Sequence, residues 1–387
     1  MQSPHRPSLL RKMNVRKVLE VIQSQGTLTR ADVMRCSGIS APTVSKAVSA
    51  LLDAGLLEER ETAEFSVGRP GKLLQLPRFS AQVIGVVLEW DYCSVVASGL
   101  DGHLHEEKLD RFKTPKTYEE LIETISNKIL NLVEKQEIPA LGVGITVPGL
   151  VNSNDGRIFL ASNLHIVDGQ APAADIASRT KMECVLVQKS TSLSLSEKTY
   201  GSGQDVEDFI NLDVTSGFGM GVFTGGQLLA GQQGLAGEIA HITVEPVGGR
   251  LCGCGNVGCL ETVATDLALT YYVSKRVGKD LDFDTILKLA KQGELDITEE
   301  LNRTIDFLAI GVAAAINIFN PTNIFVTSRL FDLQKDAFNT LIKKAKNRAL
   351  KPSSNSCEIE RSKGNKYLGA VAGIINHLAN GLGPRLT

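Results

Sequence analysis

The chain has 387 residues, 43% hydrophobic and only 5% aromatic, with a formal net charge of −2, so it is long enough for two or three domains with ample buried cores. Its longest apolar run, Leu308 to Phe319, is too short to span a bilayer and contains Asn317, and the basic N-terminus lacks the apolar stretch of a secretion signal. Seven cysteines, three clustered and four scattered, do not resemble a disulfide framework, so the expectation is a reducing cytoplasm and no membrane.

Charge divides the chain unevenly. Residues 1–78 hold 12 Lys/Arg and 7 Asp/Glu, a net +5, against −7 for the remainder. A basic head on an acidic body suits a nucleic-acid module joined to a small-molecule module, although a solvated basic face would look the same. Within the head, Val15, Val18, Leu19 and Ile22 have helical spacing over Asn14 to Ser24, and Gly26 ends that helix. Thr29 can cap a second helix whose Ala31, Val33 and Met34 supply apolar surface. After a turn at Ser37-Gly38-Ile39, Ser40 is positioned to cap a third helix, with Pro42 in its first turn and Val44, Val48, Leu51 and Leu52 buried. Ala54-Gly55 stops it. Leu56 to Glu59 and Leu73 to Leu76 then read as extended segments joined by a turn over Val67 to Lys72.

Helix, helix, turn, helix and a two-stranded wing describe a winged helix-turn-helix, expected over 1–78. The start of its third helix offers Ser40, Thr43, Ser45 and Lys46 to base edges or phosphates of a major groove. Arg69 and Lys72 at the wing tip are placed for the DNA backbone or minor groove. A small helical domain for protein contacts is the alternative. The segment around Pro77 to Ala81 reads as a linker.

Beyond it, Val83 to Gly99 is β-rich and turns at Leu100-Asp101-Gly102-His103 before continuing through Leu104. Phe209 to Phe223 is similar and turns at Thr224-Gly225-Gly226-Gln227 before Leu228-Leu229. Two stretches that each open with a hairpin and later turn helical predict a duplicated α/β fold.

Between Gly237 and Glu261, Cys252, Cys254 and Cys259 fall within eight positions, with His241 a short loop upstream. One imidazole and three thiolates suit a tetrahedral zinc ion, and glycines at 253, 255 and 258 let the backbone fold tightly around it. With no spare ligand position implied, such a metal is structural. Three buried thiols in a Gly-rich turn are the alternative. Glu238 and Glu261 bracket the cluster, so whatever the metal organises has a polar ligand beside it, unless they are simply solvated charges.

These motifs resemble the ROK family (repressors, open reading frames and sugar kinases), most of all its transcriptional-repressor branch, the type that answers to xylose or N-acetylglucosamine derivatives. The resemblance covers nearly the whole chain. It rests on Leu-Gly-Val-Gly-Ile-Thr-Val-Pro-Gly-Leu-Val at 141–151, Thr-Ser-Gly-Phe-Gly-Met-Gly at 215–221, Glu238 with His241, the run from Cys252 to Glu261, and Asn320 to Ile324. It implies an actin-like, hexokinase-type fold of two lobes, 79–205 and 206–387, with the C-terminal helix able to return to the first lobe and sugar bound in the cleft. It also implies His241, Cys252, Cys254 and Cys259 as ligands of a structural zinc, and Glu238, His241, Glu261 and Asn163 as sugar contacts. Ala240 stands where the family usually has glycine, so alanine would be strained if the backbone there needs a positive φ.

Departures from the family's kinases lie elsewhere. Gln188 and Lys189 stand where those kinases keep an Asn-Asp base pair, eight residues before a glutamate that resembles Glu197. Lysine is normally protonated and a poor base. Val87-Leu88-Glu89-Trp90-Asp91 replaces an Asp-x-Gly-Gly-Thr phosphate loop, and Thr327, Ser328 and Arg329 replace a later glycine pair. Only Gly217, Gly219 and Gly221 are kept. The expectation is therefore no catalytic residues and no enzyme, but a DNA-binding regulator, a repressor, that takes a sugar or sugar phosphate effector and binds its operator as a homodimer or homotetramer. A ROK sugar kinase carrying a DNA-binding head is the alternative. Lys189 either recognises an anionic sugar or pairs with a nearby carboxylate.

Overall fold

The computed structural model describes residues 6–61, 72–105, 107, 109–134, 138–161 and 163–381. By contact the chain divides into two units, Met1–Asp205 with Asn365–Thr387, and Val206–Gly364.

The first unit begins with α1 (Arg6–Gln25), β1 (Leu28–Thr29), α2 (Arg30–Ser37), α3 (Ala41–Asp53), β2 (Glu58–Arg60) and β3 (Leu73–Gln75). Gly26 ends α1 at φ 77° with its N–H on the Ile22 carbonyl. Thr29 caps α2 in a reciprocal box: its Oγ1 accepts the Asp32 N–H at 3.2 Å, and Asp32 Oδ2 accepts the Thr29 N–H at 3.0 Å. Gly38 closes α2 in the left-handed region. The strands form an antiparallel sheet in the order β1-β3-β2, so the wing has a third, very short strand. Three local details differ from expectation. Helix α1 starts eight residues earlier, Val33 is the only α2 residue that buries, and Ser40 bonds the Thr43 hydroxyl at 3.0 Å instead of capping through its side chain.

The core of this head does not stop at its own boundary. Val15, Val18, Leu19, Ile22, Val48 and Leu51 form one buried cluster with Val83, Leu100, Val371, Ile374 and Ile375. Residues 77–81 are accordingly no free tether: the Pro77 carbonyl accepts the Leu100 N–H at 2.7 Å, and Ala81 is buried.

Continuing along the first unit are β4 (Gln82–Val87), β5 (Tyr92–Ser98), β6 (Asp110–Lys113), α4 (Tyr118–Glu134), β7 (Ala140–Val147), β8 (Leu150–Val151), β9 (Ile158–Leu160), α5 (Pro172–Thr180), β10 (Cys184–Gln188) and α6 (Lys189–Tyr200). The main sheet runs β10-β7-β4-β5-β6, with β4, β7 and β10 parallel. The expected turn at 100–103 is present, but the expected run before it is split into two antiparallel strands. The chain reverses at 88–91, and Asp101-Gly102 makes a second reversal that brings Leu104 against Ser98.

The second unit contains β11 (Phe209–Val214), β12 (Phe218–Thr224), β13 (Gln227–Leu228), α7 (Glu261–Ala264), α8 (Asp266–Val277), α9 (Phe283–Gln292), α10 (Thr298–Phe319), β14 (Asn323–Ser328), α11 (Ala337–Arg348), α12 (Lys351–Ser356) and β15 (Glu358–Arg361). Its sheet runs β13-β12-β11-β14-β15, with β11, β14 and β15 parallel. Numbering each sheet's strands from its own first gives 3-2-1-4-5 in both units, so the duplication extends to topology. Gly225 and Gly226 both have positive φ, as a tight two-residue hairpin turn requires. Among the described residues α10 is the one helix long and apolar enough to cross a membrane, longer than the apolar run suggests. Its Leu301, Leu308, Val312 and Ile316 pack in the core of this unit.

Helix α13 (Lys366–Gly381) rejoins the first unit. It lies on a glycine track: a Cβ at Gly144 of β7 would sit 1.9 Å from the Ala370 carbonyl oxygen, and one at Gly142 would meet Ile374 at 2.9 Å. The same helix presents Gly369 to Ser192 of α6 and also packs against α1.

Candidate metal centre and nucleic-acid interface

Between β13 and α7 the second unit carries little regular structure, and its backbone is held instead by a small hairpin. Leu251 bridges Val257, Thr243 bridges Cys259, and the Cys252 N–H reaches the Asn256 carbonyl at 2.8 Å. Gly255 and Gly258 turn the chain with φ 90° and 77°, and a Cβ at Gly258 would lie 1.9 Å from the Glu245 carbonyl. Gly253 does not have a positive φ, so only two of the three expected glycines are demanded by the fold.

This hairpin brings His241, Cys252, Cys254 and Cys259 together, with their ligand atoms within 4.8 Å of one another. Cys252 Sγ lies 3.6 Å from His241 Nδ1, and Cys254 Sγ lies 3.7 Å from Cys259 Sγ. The four residues are able to hold a metal ion. Without one, burial pushes the Cys252 thiol up to about 12 and raises Cys259 as well. Cys254 is held below its ordinary value: burial opposes this, but a backbone hydrogen bond from Asn256 and bonds to the two neighbouring thiols outweigh it.

Both predicted carboxylates stand beside this cluster. His241 Nε2 faces Glu238 Oε2 at 3.8 Å, on the side of the ring away from Cys252. Glu261 opens α7; its Oε2 accepts the Phe218 N–H at 3.1 Å, and its Oε1 lies 3.8 Å from Cys252 Sγ. One oxygen of Glu261 is thus committed to the turn at 215–217. Ala240 lies in a single 3-10 turn, Ile239–His241, and is not among the residues with positive φ. The anticipated strain is absent because that turn uses ordinary right-handed backbone. Sequence reasoning missed two braces. Arg250 stacks 3.7 Å from the Tyr271 ring centroid and donates to the Thr262 carbonyl, and Arg303 of α10 pairs with Glu245 at 2.5 Å.

Asn163 and Lys189 belong to the first unit. Asn163 is exposed in a turn closed by Asp168, whose carboxylate accepts the Ala161 N–H at 2.7 Å and faces His165 Nδ1 at 2.9 Å. Lys189 is the half-buried first residue of α6. In the 88–91 turn, Glu89 pairs with Lys366 at 2.5 Å, and Trp90 is 61% exposed.

On the head, Ser40, Ser45 and Lys46 are exposed and Thr43 half-buried, Ser40 immediately before α3 and the others within its first two turns. Val44, Ala47 and Val48 bury the opposite face, which fixes the polar set outward. Among the described residues no carboxylate pairs with Lys46. Lys72 is different: its ammonium lies 2.5 Å from Glu59, which also takes Arg30 at 2.7 Å. Arg69 lies outside the described residues.

The ROK family profile matches residues 95–375, more than half of the chain, and a MarR family profile matches residues 17–64. The DNA-binding transcriptional dual regulator NagC of Escherichia coli strain K12 is 26% identical over 97% of this chain and 95% of its own length. The xylose repressor of Bacillus subtilis strain 168 is 23% identical over 91% of each chain. Among solved structures, a ROK family transcriptional regulator described as a homolog of the E. coli MLC protein has a TM-score of 0.82 at 23% identity, covering 96% of this chain and 98% of that one. The ROK hexokinase of Thermus thermophilus has a TM-score of 0.64 at 20% identity, over 76% of this chain and 97% of that one. The helix-turn-helix head is thus followed by a hexokinase-type fold. The chain belongs to the ROK family.

Proposed function

We propose that this protein is a cytoplasmic, sugar-responsive transcriptional repressor with a structural zinc and no kinase activity. The observation that carries the reading is the head: a helix-turn-helix with an outward polar first turn on α3, matched along nearly the full chain by proteins named as regulators. Two-fold operators require at least a dimer, so a homodimer or homotetramer is the working assembly.

Zinc is supported by spacing. With Zn–S near 2.3 Å and Zn–N near 2.0–2.1 Å, a tetrahedron has S···S edges of about 3.8 Å and S···N edges of about 3.6 Å. Two separations here match those edges, Cys254 Sγ to Cys259 Sγ at 3.7 Å and Cys252 Sγ to His241 Nδ1 at 3.6 Å, and all four ligand atoms lie within 4.8 Å of one another. His241 would ligate through Nδ1, which leaves Nε2 and Glu238 to meet an effector's hydroxyls. Glu261 would offer them its second oxygen. Asn163 and Lys189 are proposed as further effector contacts on the family resemblance.

Against kinase activity stand the residues at the phosphate-loop and base positions. A Glu89–Lys366 ion pair and an exposed Trp90 occupy the 88–91 turn, which offers no glycine cradle for a triphosphate. No ATP turnover is expected with any hexose.

The DNA reading predicts that Lys46→Ala weakens duplex binding and makes the slope of log affinity against log salt shallower by about 0.9, the share of one phosphate contact. Fluorescence anisotropy across a salt series measures both, and an unchanged slope would count against α3 as the DNA-facing helix. For the effector, a thermal-shift screen of neutral sugars and sugar phosphates is expected to yield a stabilising ligand whose effect is lost in Glu238→Gln. If neutral and anionic ligands bind Lys189→Ala as they bind the wild type, Lys189 does not read charge.

A further inference from the structure

The head contains more cations than it presents. Arg30 opens α2 and Lys72 precedes β3, and both converge on one carboxylate of β2, Glu59. Arg30 Nη1 lies 2.7 Å from Oε1, and Lys72 Nζ lies 2.5 Å from Oε2, so each oxygen serves one cation. The hydrogen bonds from Lys72 and Arg30 hold the Glu59 carboxyl below the usual carboxylate range, against a small opposing effect of burial. Its neighbour Glu58 is committed elsewhere, to Gln75 at 2.6 Å and to Ser80. Asp32 is taken up by the Thr29 cap and by Arg35.

We propose that Glu59 acts as an electrostatic brake on sequence-independent DNA binding, by holding Arg30 and Lys72 away from the phosphates they would otherwise contact. This rests on the DNA-binding reading. Non-specific affinity arises almost entirely from Lys/Arg replacing counterions along the phosphate backbone. A cation already neutralised by a carboxylate releases fewer counterions, because the phosphate must first displace that carboxylate. Exposed ion pairs are weak, so the brake lowers the affinity without abolishing it. Lys46, with no carboxylate paired to it among the described residues, is outside its reach.

The test measures binding of the full-length, metal-loaded protein to a random-sequence duplex over a salt series. Glu59→Gln is expected to tighten binding by about tenfold at low salt and to steepen the salt slope by roughly 1 to 2, the share of one or two added phosphate contacts. In the otherwise wild-type protein, Lys72→Ala is expected to weaken the same binding less than Lys46→Ala does, and this comparison stands even if Glu59→Gln folds poorly. Unchanged or weaker binding by a folded Glu59→Gln, or an equal or larger loss from Lys72→Ala, would overturn the brake while leaving the DNA reading intact. A wild-type protein that binds no duplex, with Lys46→Ala indistinguishable from it, would overturn both.

Discussion

Replacing Cys259 with alanine is expected to abolish stoichiometric metal binding and to unfold the 241–261 segment together with the effector response. Cys259 is fully buried and is the residue through which the metal hairpin joins α7. Much of this loop's apolar surface stays outside the core: Ile242, Val247, Leu251 and Val257 are exposed, and only Val244 and Leu260 anchor it there alongside the cysteines. Its order is therefore expected to rest on its backbone bridges, its two arginine braces and the proposed metal. Structural zinc supplies about 10–16 kcal/mol of apparent binding free energy in small zinc-finger peptides, much more than any single contact here. The same loss should follow a strong chelator. Elemental analysis should give one zinc per wild-type chain and none for the variant, with the sugar-dependent thermal shift gone. The head takes no part in the site, so binding of random-sequence duplex should persist. A variant that keeps both its metal and its sugar response would show that Cys259 is not a ligand, and a wild-type chain that takes up no stoichiometric metal would show that the cluster is only a packed group of thiols.

Gly144→Val is expected to be the most damaging single change in the first unit, at about 3 kcal/mol or more, the upper end of what overpacking costs. A built Cβ there falls 1.9 Å from the Ala370 carbonyl, a backbone atom that cannot rotate away, so α13 has to lift from β7. Because Val371, Ile374 and Ile375 of α13 share a core with α1 and α3, the damage should reach the DNA-binding head as well. Gly156→Ala is the matched control. Gly156 has φ 68° and nothing within 4 Å of its built Cβ, so only the left-handed backbone is penalised, at roughly 1–2 kcal/mol. Chemical denaturation monitored by circular dichroism would separate the two effects. Equal losses would mean that α13 is not seated on the glycine track.

Local features of this chain are readable from sequence because their causes are local. The Thr29 cap, the Gly26 and Gly38 stops and the face of α3 each depend on residues a few positions apart. The His/Cys cluster is readable for the same reason, since three of its four residues span eight positions. Features set by distant partners were not. Nothing near Pro77 announces that its carbonyl will take the Leu100 N–H, nor that residues 371–375 will complete the core of a helix beginning at Arg6. The turn at Asp101-Gly102 forms as its residues suggest, whereas nothing local announces the additional reversal at 88–91, where Leu88 is buried and its N–H bonds the Thr146 carbonyl. Ala240 taught the converse: a departure from a family's glycine is costly only where φ demands glycine, and here it does not.

The Glu59 pairing was missed for a related reason. Glu59 is separated from its two cations by 29 and 13 positions, and the net charge of +5 on residues 1–78 says nothing of which charges are already paired.

In the proposed function, sugar binding beside the 241–261 hairpin controls DNA binding by the head. The measurement that tests it is the affinity of the metal-loaded protein for a duplex selected from a randomised library, titrated with a panel of sugars and sugar phosphates. At least one of them should weaken binding by about tenfold or more, within the usual range of allosteric coupling, and Glu238→Gln should remove the effect. DNA affinity that stays constant across the whole panel would rule out a sugar-responsive repressor, and ATP-dependent phosphorylation of one of its sugars would make the protein a kinase.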